Sequence, residues 1–151
     1  MTDHAIPSYV MMMAPTLDAL ESLGGSAAKA ELDAAVIARM GLTPAQLAVR
    51  ISGPDGEPRS TVAHRLGLAR TQLRKLGYVT KPEHGVWALE PASRSILDLD
   101  RDGAAAALHE QDLEIRKADR LARIAAGHAP GPEAGPGVEP DELSDILNDS
   151  Y

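Results

Sequence analysis

Apolar residues recur at steps of four, three, four and three in Val62, Leu66, Ala69, Leu73 and Leu76, a helical stripe that closes at Gly77. On the same wheel Ser60, His64, Gly67, Thr71, Arg74 and Lys75 fall opposite the stripe, with Arg70 at its flank. Gly67 weakens this helix by about 1 kcal/mol relative to alanine. Upstream, residues 9–23 form a first helix closed by Gly24-Gly25, and Pro15 is expected to kink or divide it. Ser26 is the expected N-cap of a second helix, with Leu32, Val36, Ile37 and Met40 as its apolar face and Gly41 as its stop. Thr43-Pro44 opens a short third helix over 44–50, and residues 52–58 read as loop.

Two short apolar runs follow, Tyr78-Val79-Thr80 and Val86-Trp87-Ala88-Leu89, around the polar turn Lys81-Pro82-Glu83-His84-Gly85. Helices followed by a two-stranded hairpin give the order of a winged helix, and such a hairpin needs side chains packed on the helices to be stable. The expected fold is therefore mainly α: a winged helix-turn-helix of three to four helices plus a β-hairpin wing over residues 5–95. An added C-terminal helical extension covers 96–126, with helices over 92–98 and 104–126, and a flexible linker and disordered acidic tail cover 127–151. Asp112–Arg116 and Asp119–Arg123 are acid-before-base pairs that favour a solvated helix.

Composition sharpens this picture. The chain has no Phe and no Cys, which removes disulfides, thiolate metal sites and cysteine nucleophiles and leaves a core of aliphatic side chains and Met. No run approaches the ~20 apolar residues of a membrane span, so a soluble, cytoplasmic, nucleoid-associated protein is expected, with no membrane partner. The net charge is −7, but residues 1–90 hold nine acids and nine bases while 91–151 hold thirteen and six. Within the neutral part, Arg59, Arg65, Arg70, Arg74, Lys75 and Lys81 form a stretch without an acid. Such a stretch, on a helix leading into a wing, points to double-stranded DNA, because an α-helix fits the major groove and Arg, Lys and hydroxyl groups meet bases and phosphates there. The candidate DNA-binding residues are Arg59, Ser60, His64, Arg70, Thr71, Arg74, Lys75, Lys81 and His84.

The runs His64-Arg65-Leu66-Gly67-Leu68-Ala69, Leu73-Arg74-Lys75-Leu76-Gly77-Tyr78 and Gly85-Val86-Trp87-Ala88-Leu89 resemble the N-terminal domain of Mrr-type restriction endonucleases. The opening Ile6-Pro7-Ser8-Tyr9 with Met13-Ala14-Pro15 is similar to the start of that domain. The likeness covers about residues 5–95 and implies a winged-helix DNA-binding domain, which in those enzymes targets a separate nuclease domain. Two departures stand out. Glu90-Pro91-Ala92-Ser93 replaces the usual Thr-x-x-Gly after the wing, and no Asp followed by a strand-borne Glu/Gln-x-Lys comes after it. The resemblance thus implies binding rather than cleavage.

Other motifs read more plainly. Asp98, Asp100, Asp102 and Gly103 match the opening of a calcium loop, but position twelve is His109 rather than Glu, so a polar turn before a helix is expected. The five histidines show no metal-ligand spacing, and no motif frames a serine nucleophile; neither cofactor, metal nor catalytic residue is expected. Trp87 reads as a wing-base core residue and Met11-Met12-Met13 as core. Leu108, Ile115, Ala118 and Ala122 form a homodimer seam, interrupted by Gln111. The tail, with six acids and no base over 133–151, admits three readings: a solubilising end, a partner-binding helix using Leu143, Ile146 and Leu147, or a strand of charge that folds back on the basic helix. The expected function is non-enzymatic double-stranded DNA binding in transcription regulation or chromosome association. The alternatives are a DNA-targeting component of a restriction or phage-defence system and an RNA polymerase accessory factor.

Overall fold

The computed structural model describes residues 6–52 and 58–127, with the backbone alone at 51, 52, 58 and 59. Helix α1 spans Tyr9–Ser22, strand β1 Ser26–Ala28, α2 Lys29–Met40, α3 Pro44–Leu47, β2 Arg50–Ser52, β3 Pro58–Ser60 and α4 Thr61–Lys75. The wing strands β4 (Val79–Glu83) and β5 (Val86–Leu89) follow, then a 3-10 turn at Pro91–Ser93, α5 (Arg94–Leu97) and α6 (Arg101–Ala125). The three-stranded antiparallel sheet has the order β1-β5-β4, so the wing is joined by a strand from between the first two helices. This is a mainly helical winged helix, as the order of the runs predicts.

Helix α1 is the centre of the molecule and packs against α2, α4 and α6. Met12, Met13, Leu17 and Leu20 are fully buried along it, against Leu32 and Val36 of α2 and Val62, Leu66, Ala69 and Leu73 of α4. Each methylene in that core adds about 0.8 kcal/mol by leaving water, so the stripe read from the sequence is also the principal source of cohesion. Trp87, 2% exposed, closes the core from the wing side. Met11 departs from the core reading of its run and stands 62% exposed.

Several boundaries differ from expectation. Pro15 lies inside an unbroken α1; the amide it lacks would have served the Met11 carbonyl, on the exposed side of the helix where water can replace it. Ser26 is not a helix cap but the first residue of β1, paired with Ala88, and Ala28 begins α2 without a side-chain cap. Helix α3 stops at Leu47 rather than 50, held by a capping box between Thr43 and Gln46, and β2 and β3 form a second antiparallel pair at the two ends of the expected 52–58 loop. Ile96, Ala104 and Leu108 belong to the same core cluster as α1, and Leu108, fully buried, is unavailable to the dimer seam expected of it. Asp100 caps α6, accepting the Gly103 amide at 2.6 Å, so α6 starts at Arg101 rather than 104. Among the described residues no helix is long and apolar enough to cross a membrane. The tail residues Leu143, Ile146 and Leu147 lie outside the described residues.

Candidate nucleic-acid interface

Helix α4 is capped by Ser60, whose hydroxyl accepts the Ala63 amide at 3.2 Å. Just past its end stands Gly77, φ +84°, after which the Tyr78 amide reaches back to the Leu73 carbonyl at 3.0 Å. That left-handed residue redirects the chain into β4 with little steric cost. The wing turn uses the same device: Gly85, φ +79°, reverses the chain after His84, and its carbonyl accepts the Lys29 amide at 2.9 Å. The turn of the wing is thereby tied to the start of α2.

Folding disperses the basic run. Arg70 is 1% exposed and hydrogen-bonds Asp33 of α2 in a buried ion pair, with its guanidinium 5.5 Å from the centroid of the Trp87 ring. It holds α4, α2 and the wing together and is not a groove residue, which corrects the sequence reading. The reason is its place at the flank of the stripe, where α2 presents a carboxylate among apolar side chains. Thr71, 3% exposed, and Ser60, 7% exposed and occupied as a cap, are likewise buried and leave the candidate interface. Arg65 donates to the carbonyls of Ile6 at 2.6 Å and Pro7 at 3.2 Å, anchoring the N-terminal segment. His64 is half-buried, and desolvation with the nearby Arg65 charge holds its pKa below the usual 6.5, so it is neutral at pH 7.

What reaches the surface is a shorter set. Arg74 and Lys75 are exposed at the C-terminal end of α4, where their charges also complement the helix dipole. Lys75 lies 3.5 Å from Asp119 of α6, an exposed pairing of small energetic weight. Lys81, half-buried on β4, sits 5.4 Å from the Trp87 centroid on a ring it shares with Arg70, and His84 is exposed at the wing turn. From Arg74 to His84 the candidates follow the edge where α4 passes into β4 and on to the wing turn. The side chain of Arg59 lies outside the described residues. Lys29, half-buried at the start of α2 beside the wing turn, was missed; only the β1–β5 pairing brings it there.

A second polar cluster was read as a surface pair. Asp112 of α6 is fully buried and accepts the Tyr9 hydroxyl at 2.8 and 3.0 Å and the Gln72 amide at 2.8 Å, with Arg116 3.9 Å away. Burial and this carboxylate push the Tyr9 hydroxyl well above its usual pKa. Tyr78 adds a bond to Gln111 at 2.5 Å. These contacts lock α6 to α1 and α4. Among the described residues no group of three or more His, Asp or Glu could hold a metal ion.

The model of the Mrr N-terminal domain family matches residues 9–98, more than half of the chain. The chain belongs to the Mrr N-terminal domain family, as its helix and wing motifs imply, and this membership supports a DNA-binding domain. Comparison with curated proteins and with solved structures gave no match.

Proposed function

We propose that this chain binds double-stranded DNA and has no catalytic activity of its own, acting as a transcription regulator or chromosome-associated factor. One observation carries the reading: in an Mrr N-terminal winged helix, the cations that remain exposed or half-exposed after α4 is packed run from Arg74 and Lys75 through Lys81 toward His84. Arg74 offers the planar donor fork that suits guanine or a phosphate, while Lys75 and Lys81 suit phosphates as point charges. Family membership also supports a second reading, the DNA-targeting component of a restriction system.

The test is a salt series of binding to duplexes of several sequences. Arg74→Ala should weaken binding by roughly 1–3 kcal/mol if it reads a base, with relaxed preference at that position, and Lys81→Ala should weaken all sequences alike. Unchanged affinity in both variants removes the proposed interface. Incubation with plasmid and magnesium should leave the plasmid intact.

A further inference from the structure

The distal half of α6 carries an apolar face that nothing among the described residues covers. Leu113, Leu121 and Ile124 are 47%, 58% and 46% exposed. At 100° per residue they share one side of the helix with Lys117 and Arg120, both exposed, and lie opposite Ala104 and Leu108, which face the core. Three large aliphatic side chains exposed on one helix side form a patch that, interleaved with cations, suits an amphipathic acidic partner.

The chain supplies one. Residues 133–151 hold Glu133, Glu139, Asp141, Glu142, Asp145 and Asp149 and no base, and Leu143, Ile146 and Leu147 recur at helical spacing. Over 113–124, the span of the apolar face, α6 holds Arg116, Lys117, Arg120 and Arg123 against Glu114 and Asp119, while 141–149 holds four acids and no base. The two segments are therefore opposite in charge and matched in apolar spacing. They are also joined by a suitable length: α6 ends at Ala125, and residues 126–140 separate it from Asp141. Fifteen residues can span at most about 50 Å, well beyond the ~17 Å of α6 between Leu113 and Ile124. Such a tether holds the segment at an effective concentration of about millimolar, where weak docking suffices.

We propose that residues 141–149 dock on the Leu113–Leu121–Ile124 face of α6, antiparallel to it, with their acids beside Lys117 and Arg120. The tail is thereby directed to α6, away from the end of α4 and the wing, and the inference stands whether or not the chain binds DNA. A partner protein recognising the same acidic segment would compete with α6 for Leu143, Ile146 and Leu147.

The absence of cysteine allows one spin label to be placed in the full chain at Ser150→Cys. The expected result is paramagnetic broadening greatest at Leu113, Lys117, Leu121 and Ile124, independent of protein concentration. It should be several-fold weaker in Leu147→Asp, in the Lys117→Glu/Arg120→Glu pair, and at high salt. Lys117 and Arg120 are exposed and none of the four substituted positions belongs to the core cluster of the described residues, so an unchanged core spectrum is expected and checks the fold. Absence of broadening overturns the proposal. So does broadening confined to Arg74, Lys81 and His84, which places the tail on the wing, or broadening that vanishes on dilution, which makes the occupant a second copy.

Discussion

Arg70 shows how one residue's burial changes its role. Its place beside the α4 stripe was legible in the sequence, but the partner that draws it inward, Asp33, lies 37 residues away on α2. A signal existed: Asp33 adjoins Leu32 and precedes Val36 on the helix side that turns inward, an unusual setting for a carboxylate. Removing one member of a buried pair strands the other charge, at a cost of about 3–5 kcal/mol. Asp33→Ala should therefore lower stability by that order in chemical denaturation, and Asp33→Leu/Arg70→Met should recover much of the loss. Equal stability of Asp33→Ala and the parent chain would contradict the buried pair. His64 gives a second test. Its pKa is lowered in the folded state, so the unfolded chain takes up the proton first as pH falls below about 6.5. Stability through His64 is present above that pH and is lost progressively below it, toward the lower folded pKa. His64→Gln should flatten the decline in denaturation midpoint between pH 7.5 and 5.5; parallel curves would assign the decline elsewhere.

At the scale of elements, the local signals were legible and the long-range ones were not. The α4 stripe, the Gly41 and Gly77 stops and the wing strands each follow from residues a few positions apart. Strand β1 does not, because Ser26-Ala27-Ala28 has weak strand propensity and is fixed by pairing with β5 some sixty residues later. Helix α6 was legible as a helix but not as part of the core, since its charge pairs read as a solvated face. Asp112, four residues after the buried Leu108, is the signal that was available. Truncating it leaves the Tyr9 hydroxyl and the Gln72 amide buried without their acceptor, so Asp112→Ala should cost ~3 kcal/mol or more. Asp119→Ala, which breaks only the part-exposed contact to Lys75, should cost ~1 kcal/mol or less. Thermal melts of the two variants separate a locking carboxylate from a surface one; similar shifts would mean that α6 is held by its apolar side chains alone.

For the whole molecule, the net charge of −7 and a DNA-binding reading are compatible only if binding is local. At ~0.1 M salt the Debye length is about 10 Å, so acids beyond that distance are largely screened from a phosphate at the wing. The strength of the local contact then depends on how many cations folding leaves outside. The uninterrupted run in the sequence holds six, but Arg70 is consumed by Asp33 and Arg65 by the Ile6 and Pro7 carbonyls. Arg74 and Lys75 are exposed and Lys81 half-exposed on the proposed path, with Lys75 also beside Asp119 and Lys81 beside Trp87, while His84 is exposed at its end. Each phosphate neutralised contributes about −0.9 to the slope of log K against log salt, so three contacts give a slope of about −3 per bound chain, against roughly −5 for six. We expect the slope near −3 for any duplex sequence. Arg74→Ala and Lys81→Ala should each make it shallower by about 1, while Arg120→Ala on α6 leaves it unchanged. A slope near −5 that neither substitution alters would mean that DNA meets another face of the molecule, and the edge from α4 to the wing would then be structural only.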